Sequence, residues 1–141
     1  MTLTINEAIQ LILDFHYVPV GYWKGNPIED PLVCQFIEEG YATLDEEYQE
    51  RYVLNDKGAD FLHTYIKCIS TAFIDFIKKK QLSCYDTDGI LWFSNNYSLD
   101  TETAESLYDY ISKNLKVYGY ECQKFHQHGH GWGYQFKEVE K

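Results

Sequence analysis

The sequence predicts an α+β fold in which a long helix joins two halves of the chain. An apolar stripe at helical spacing crosses the middle of the chain, from Phe61 to Ile77. Short apolar runs separated by turn residues lie on both sides of it, which is typical of antiparallel hairpins. We therefore expect one subdomain over residues 1–80, including the long helix 56–80, and a smaller one over residues 81–141.

The long helix is predicted from its two ends and its apolar face. Asn55 is a good N-cap, because its side-chain oxygen can accept from the free amides of the first turn. Asp56 at the start and Lys78–Lys80 at the end both suit the helix dipole. The face is too long for one small subdomain, so we expect it to pack on both halves or to form a homodimer through helix 56–80. Its residues are Phe61, Leu62, Tyr65, Ile66, Ile69, Ala72, Phe73, Phe76 and Ile77.

Two shorter helices are predicted before the long one. Thr4 caps the first helix, and Glu7 three residues later completes a capping box. Pro31 is suited to the first turn of the second helix, and Gly40 to the position just after its end. The proline- and glycine-rich stretch between them, residues 16–31, is expected to form a loop.

Two short strands, 41–44 and 52–54, are predicted around an acidic turn, and the second enters the long helix through the segment YVLNDKG. In the winged-helix family the second strand of the wing enters a helix through a segment of the kind Tyr-x-Leu-Thr-x-Lys-Gly. The chain resembles that family over residues 4–80, and the resemblance implies a winged-helix-like N-terminal half. Some regulators of the family pair two subunits through a long helix after the wing. The matching residues are Tyr52, Leu54, Asn55, Lys57 and Gly58, with Asn55 where Thr is usual.

The charges of this half depart from those of DNA-binding members of the family, which carry basic residues on the wing and place a helix in the major groove. The corresponding helix here, residues 31–39, contains no Lys or Arg and ends in two acidic residues. The wing tip is DEEYQE. Because phosphate contact depends on Lys and Arg, nucleic acid is not the expected partner, and the sequence favours protein recognition.

The C-terminal half is predicted to be an antiparallel ββ-α-ββ unit. Its first hairpin has strands at 83–85 and 90–93 around the turn Asp-Thr-Asp-Gly. Asp100 is expected to cap a helix over residues 101–115. A second hairpin closes the chain, with its turn at 128–131.

Three histidines at alternate positions are the sharpest candidate for metal chemistry: His126, His128 and His130. On a strand, alternation would place three imidazoles on one side, where they could bind a metal ion. The glycines around them mark a turn, which breaks the alternation. We therefore expect no metal or other cofactor, with a metal site at these histidines as the open alternative. No catalytic motif occurs, so an enzyme is not expected.

Composition narrows the class of protein further. The formal net charge is −10, from 22 acidic and 12 basic residues, and ten acids with only two bases lie within residues 29–60. Such a field repels nucleic acid and attracts basic surfaces. No apolar run is long enough to span a bilayer. The four cysteines form no CxxC pair and no export signal precedes them, so reduced thiols and a cytoplasmic location are expected.

These patterns predict a non-enzymatic cytoplasmic protein that binds a basic protein partner through an acidic surface. Its size, acidity and aromatic content are comparable with those of immunity proteins and phage counter-defence inhibitors that mimic nucleic acid. The alternative is a dimeric winged-helix transcription regulator that reaches DNA through Lys24 and Lys78–Lys80. The residues expected to bind the partner are Glu38, Glu39, Asp45, Glu46, Glu47, Tyr48 and Glu50.

Overall fold

The computed structural model describes residues 1–17, 22–23, 30–45 and 51–139. The fold is mixed α+β, as predicted, and the described part of the chain holds five α-helices and two three-stranded antiparallel sheets. The chain divides into two compact units, Met1–Ile66 and Lys67–Lys141, which differs from the boundary expected after residue 80. The second half of the long helix therefore belongs to the C-terminal unit. None of the helices within the described ranges is long and apolar enough to cross a membrane.

The N-terminal unit has the predicted helices with the predicted starts. The hydroxyl of Thr4 accepts a hydrogen bond from the amide of Glu7, and the Glu7 carboxylate accepts one from the amide of Thr4, so the capping box is formed. Asp30 caps the second helix, which has Pro31 in its first turn. The elements in order are α1 (Ile5–Ile12), a π-helical turn (Leu13–Tyr17), β1 (Tyr22–Trp23), α2 (Pro31–Glu38), β2 (Ala42–Asp45), β3 (Arg51–Leu54) and the start of α3 (Asp56–Lys79).

The N-terminal sheet has the strand order β1-β3-β2. Strands β2 and β3 pair as the predicted hairpin, with Ala42 opposite Leu54 and Asp45 opposite Arg51. Strand β1 corrects one sequence prediction, because its two residues fall in the stretch 16–31 that was expected to be only a loop. Two residues are too few to show the alternation by which a strand is recognised in a sequence.

An aromatic cluster forms the core of the N-terminal unit. The fully buried ring of Phe36 on α2 lies 4.9 Å from the ring of Tyr41 and 5.6 Å from that of Phe15. Phe61 on α3 packs against Tyr41 at 4.7 Å. The apolar residues of α1 and Leu62 of α3 complete this core.

In the C-terminal unit the predicted first hairpin is wrong, because residues 86–97 form a helix. Asp86 and Asp88 lie in its first turn, where carboxylates are favourable, rather than in a β-turn. Position 89 inside this helix requires glycine, because the Cβ of any other residue would come within 2.2 Å of the Tyr108 ring. After α3 the elements are β4 (Ser83–Tyr85), α4 (Asp86–Tyr97), α5 (Thr101–Lys113), a 3₁₀ turn (Lys116–Tyr118), β5 (Tyr120–Gln127) and β6 (Gly131–Glu138).

The C-terminal unit is therefore β-α-α-β-β and not ββ-α-ββ. Its sheet has the order β4-β6-β5, and β5 and β6 form the predicted closing hairpin. Phe73 on α3 is at the centre of the core, with the rings of Phe93 at 5.0 Å and Phe136 at 5.9 Å. Phe73 and Ile77 are fully buried within one copy of the chain, so this part of the predicted stripe is already covered without a second copy.

Candidate partner-binding surface

The predicted acidic surface begins at the C-terminal end of α2 and continues along the β2–β3 hairpin. Glu38 is the last residue of α2, Glu39 follows it, and both are exposed. Asp45 ends β2. The remaining predicted residues, Glu46, Glu47, Tyr48 and Glu50, lie outside the described residues.

The two carboxylates at the end of α2 occupy an electrostatically unfavourable position. The C-terminal end of a helix carries partial negative charge, and the last turn of α2 contains no basic residue. Glu38 has no hydrogen-bond or ion-pair partner in the described part of the chain. Glu39 is partly compensated, because its Oε2 lies 3.8 Å from the amino group of Met1 and its Oε1 accepts from Gln35 at 3.5 Å. Glu38 is therefore the better displayed of the two charges.

The YVLNDKG segment holds the end of α2 in place. Asn55 donates from Nδ2 to the carbonyl oxygen of Gly40 at 2.7 Å and accepts from the amide of Gly58 at 2.9 Å. Lys57 donates from Nζ to the carbonyl oxygen of Glu39 at 2.9 Å and lies 4.5 Å above the Tyr41 ring. We call these contacts the α2–α3 strap. The sequence resemblance located the residues of the strap, but their positioning role depends on contacts that only the fold shows.

The three histidines of the closing hairpin lie in different surroundings. The ring of His126 packs against that of Trp132, with centroids 4.9 Å apart. His130 instead stacks on Tyr85 at 5.4 Å, and His128 lies in the turn between the strands. No group of three metal-ligating side chains occurs anywhere in the described ranges.

A polar network in the C-terminal unit was not anticipated from the sequence. Tyr108 donates to Asp86 at 2.8 Å, and the second oxygen of Asp86 accepts from Lys124 at 3.2 Å. Tyr134 donates to Asp109, whose second oxygen accepts from Lys113 at 3.0 Å. Each aspartate thus accepts one hydrogen bond from a tyrosine and one from a lysine. We call these six residues the Tyr–Asp–Lys network.

The network is structural in its chemistry. Burial raises the pKa of Tyr108, with further contributions from the neighbouring Cys84 and Asp86. Burial also raises the pKa of the Cys84 thiol to about 12, so this cysteine stays protonated and is a poor nucleophile at neutral pH. Burial, together with the hydrogen bond to Asp109, raises the pKa of Tyr134. Neutral tyrosines that donate to carboxylates hold elements together and offer no group poised to react.

Comparison of the chain with protein-family models, with curated proteins and with solved structures gave no match.

Proposed function

We propose that the chain is a non-enzymatic, cytoplasmic protein-binding module that inhibits a basic partner protein by covering its nucleic-acid-binding or catalytic surface. The contact surface comprises the end of α2 and the tip of the β2–β3 hairpin. Its carboxylates take the places of nucleic-acid phosphates, and Tyr48 takes the place of a base. The residues assigned to it are Glu38, Glu39, Asp45, Glu46, Glu47, Tyr48 and Glu50.

The observation that carries this proposal is the separation of charge between the two units. Residues 1–66 hold 12 acidic and three basic residues, a net charge of −9, whereas residues 67–141 hold ten acidic and nine basic residues, a net charge of −1. A field concentrated on one unit steers a basic partner to that unit and sets its orientation before contact. General solubility does not require such separation.

The experiment is capture of partners from host lysate by tagged protein at low and at high salt, followed by mass spectrometry. We expect one basic protein that is released as salt rises. The triple variant Glu46→Lys, Glu47→Lys and Glu50→Lys should then lose the partner, because it reverses three charges at the hairpin tip.

A matched control reverses three exposed acids of the C-terminal unit. These are Asp75, Glu102 and Glu105, which are exposed on α3 and α5. The control variant has the same net charge as the first triple variant, so retained binding assigns the effect to position and not to total charge. Equal loss of partner binding in both triple variants, or full binding by the first, would contradict the proposal.

We also propose a winged-helix arrangement of residues 4–80. This arrangement is compatible with a second function, that of a DNA-binding regulator. The order helix, strand, helix, two strands, helix supports the winged-helix arrangement, together with the sheet order β1-β3-β2 and the α2–α3 strap. A dimeric regulator of this type would bind duplex DNA through Lys24 and Lys78–Lys80. We expect no shift of labelled duplex at low salt, and a salt-sensitive shift would favour the regulator over the inhibitor.

A further inference from the structure

The two edges of the C-terminal sheet differ in how they are protected. The β4 edge is only three residues long and passes directly into α4. The β5 edge is eight residues long, and no described strand pairs with its outer side. It contains no proline, and its charged residues are Glu121 and Lys124. Proline, short length and charged side chains are the usual protections of an edge strand. Because β5 is long, lacks proline and carries two charges of opposite sign, it is the less protected of the two edges.

The hydrogen-bond register shows which backbone groups the open edge presents. The amide of Val139 donates to the carbonyl oxygen of Gly119 at 2.9 Å, which makes these two residues a hydrogen-bonded pair. Such pairs alternate with non-hydrogen-bonded pairs along antiparallel strands. The residues of β5 whose amides and carbonyls point away from β6 are therefore Tyr120, Cys122, Lys124 and His126. The amide of Tyr120 already donates to the carbonyl oxygen of Leu115 at 3.1 Å, so Tyr120 presents only its carbonyl oxygen at this edge.

We propose that β5 pairs antiparallel with β5 of a second copy of this chain, across a two-fold axis at Gln123. This axis places Tyr120 opposite the partner's His126 and Cys122 opposite the partner's Lys124. The two Cys122–Lys124 pairs exchange two hydrogen bonds each. The two outer pairs form one each, from the amide of His126 to the carbonyl oxygen of Tyr120, because the amide of Tyr120 is already bonded to Leu115. The interface therefore gains six hydrogen bonds, and the two sheets become one of six strands.

The neighbouring registers are less favourable. An axis at Lys124 places two lysines directly opposite each other, which is repulsive. An axis at Cys122 leaves the outward-facing groups of His126 without partners. Of these three registers, the axis at Gln123 gives six hydrogen bonds and opposes no like charges, and an isologous two-fold contact of this kind closes at a dimer.

The first test is a cross-link at the proposed axis. Gln123 is exposed and makes no side-chain hydrogen bond within the described part of the chain, so Gln123→Cys should leave the fold intact. Opposite itself in a non-hydrogen-bonded pair, the new thiol has the Cα separation that a disulfide needs. We expect a covalent dimer under mild oxidation, located by peptide mapping to residue 123. The control is Gln135→Cys, on the central strand of the same exposed sheet face, which should remain uncross-linked.

The second test is the oligomeric state by analytical ultracentrifugation. The wild-type chain should approach twice its mass of 16.6 kDa as concentration rises. Gln123→Lys should weaken the dimer by roughly fivefold or more, because two ammonium groups then face each other, while Gln135→Lys should not. A chain that is monomeric throughout overturns the proposal. So does a dimer that Gln123→Cys fails to cross-link, or one that both lysine variants affect equally.

Discussion

Two sets of carboxylates, one in each unit of this chain, have opposite surroundings. In the C-terminal unit Asp86 and Asp109 each accept hydrogen bonds from a tyrosine hydroxyl and a lysine, so both charges are paired within the unit. In the N-terminal unit Glu38 stands at the negative end of α2 with no partner in the described part of the chain. The C-terminal unit is nearly balanced in charge, and the N-terminal unit is strongly acidic.

This difference separates carboxylates that stabilise the fold from those that do not. A carboxylate that accepts from buried donors lowers the free energy of the folded state. One placed at the wrong end of a helix, without donors, raises it slightly. The N-terminal unit contains both kinds, because Glu7 and Asp30 accept hydrogen bonds at the starts of α1 and α2. The α2–α3 strap adds contacts that involve no carboxylate side chain.

The strap gives the largest expected effect. A Cβ at Gly58 would lie 2.0 Å from the backbone carbonyl oxygen of Tyr41, which cannot move without displacing the chain. Gly58→Ala should therefore lower the free energy of unfolding by about 3 kcal/mol, the upper end of the usual range for overpacking, measured by chemical denaturation. Gly129→Ala is the control, because nothing lies within 4 Å of its Cβ position and only its positive φ of 83° costs energy, about 1 kcal/mol. Equal losses would mean that the close approach of the Gly58 backbone to the carbonyl oxygen of Tyr41 is not required for the fold.

The second prediction concerns the Tyr–Asp–Lys network. Asp86→Ala leaves the hydroxyl of Tyr108, whose side chain is 2% exposed, without its acceptor, and should cost about 1–3 kcal/mol. Asp86→Asn keeps an acceptor oxygen and should recover part of this loss. In a double-mutant cycle, adding Tyr108→Phe to Asp86→Ala should cost much less than Tyr108→Phe alone. Strict additivity would show that the hydrogen bond contributes nothing to stability.

The third prediction is an alkaline loss of stability that involves Cys84. Its pKa is raised from 9.0 to about 12 by burial first and by Asp88 second. Because the folded pKa is the higher one, the unfolded state releases its proton first, and folding loses free energy as pH rises from 9.0 towards 12. Cys84→Ala removes this contribution, so its unfolding free energy should fall less steeply across that range than the wild-type value does. Parallel curves for the two proteins would contradict the assignment.

The smallest expected effect is an increase in the free energy of unfolding, and it tests the comparison of the two sets of carboxylates most directly. Glu38→Gln removes a charge from the negative end of α2 and should raise the free energy of unfolding by about 0.3–1 kcal/mol at low salt. Glu102→Gln, in the first turn of α5, is the matched control and should lower it by a similar amount. The same Glu38 variant should weaken partner binding. A destabilised Glu38→Gln protein would mean that this carboxylate supports the fold after all.

Local signals in the sequence were sufficient for most elements but not for α4. Caps and apolar spacing identified α1, α2, α3 and α5, because those signals are contained within a few neighbouring residues. The Asp-Thr-Asp-Gly run resembles a turn, and Gly89 is unfavourable inside a helix unless a neighbour excludes a side chain. That neighbour is Tyr108, which lies 19 positions further along the chain, so the reason for Gly89 appears only in the folded structure.

The candidate surface shows the same limit. Its charge was predictable, because charge is a property of the residues themselves. That Glu39 lies near the amino group of Met1, and that Lys57 is committed to the end of α2, depends on contacts between distant parts of the chain. Net charge alone therefore does not show that the carboxylate of Glu39 is partly paired within the chain.

The course of α3 determines where this chain can be cut into separately expressed fragments. A fragment ending at residue 80 would carry Phe73 without the rings of Phe93 and Phe136 that pack against it. A fragment beginning at residue 81 would lack the ring at the centre of its own core. The shortest C-terminal fragment expected to keep that core is 67–141, which begins inside a helix and not in a loop.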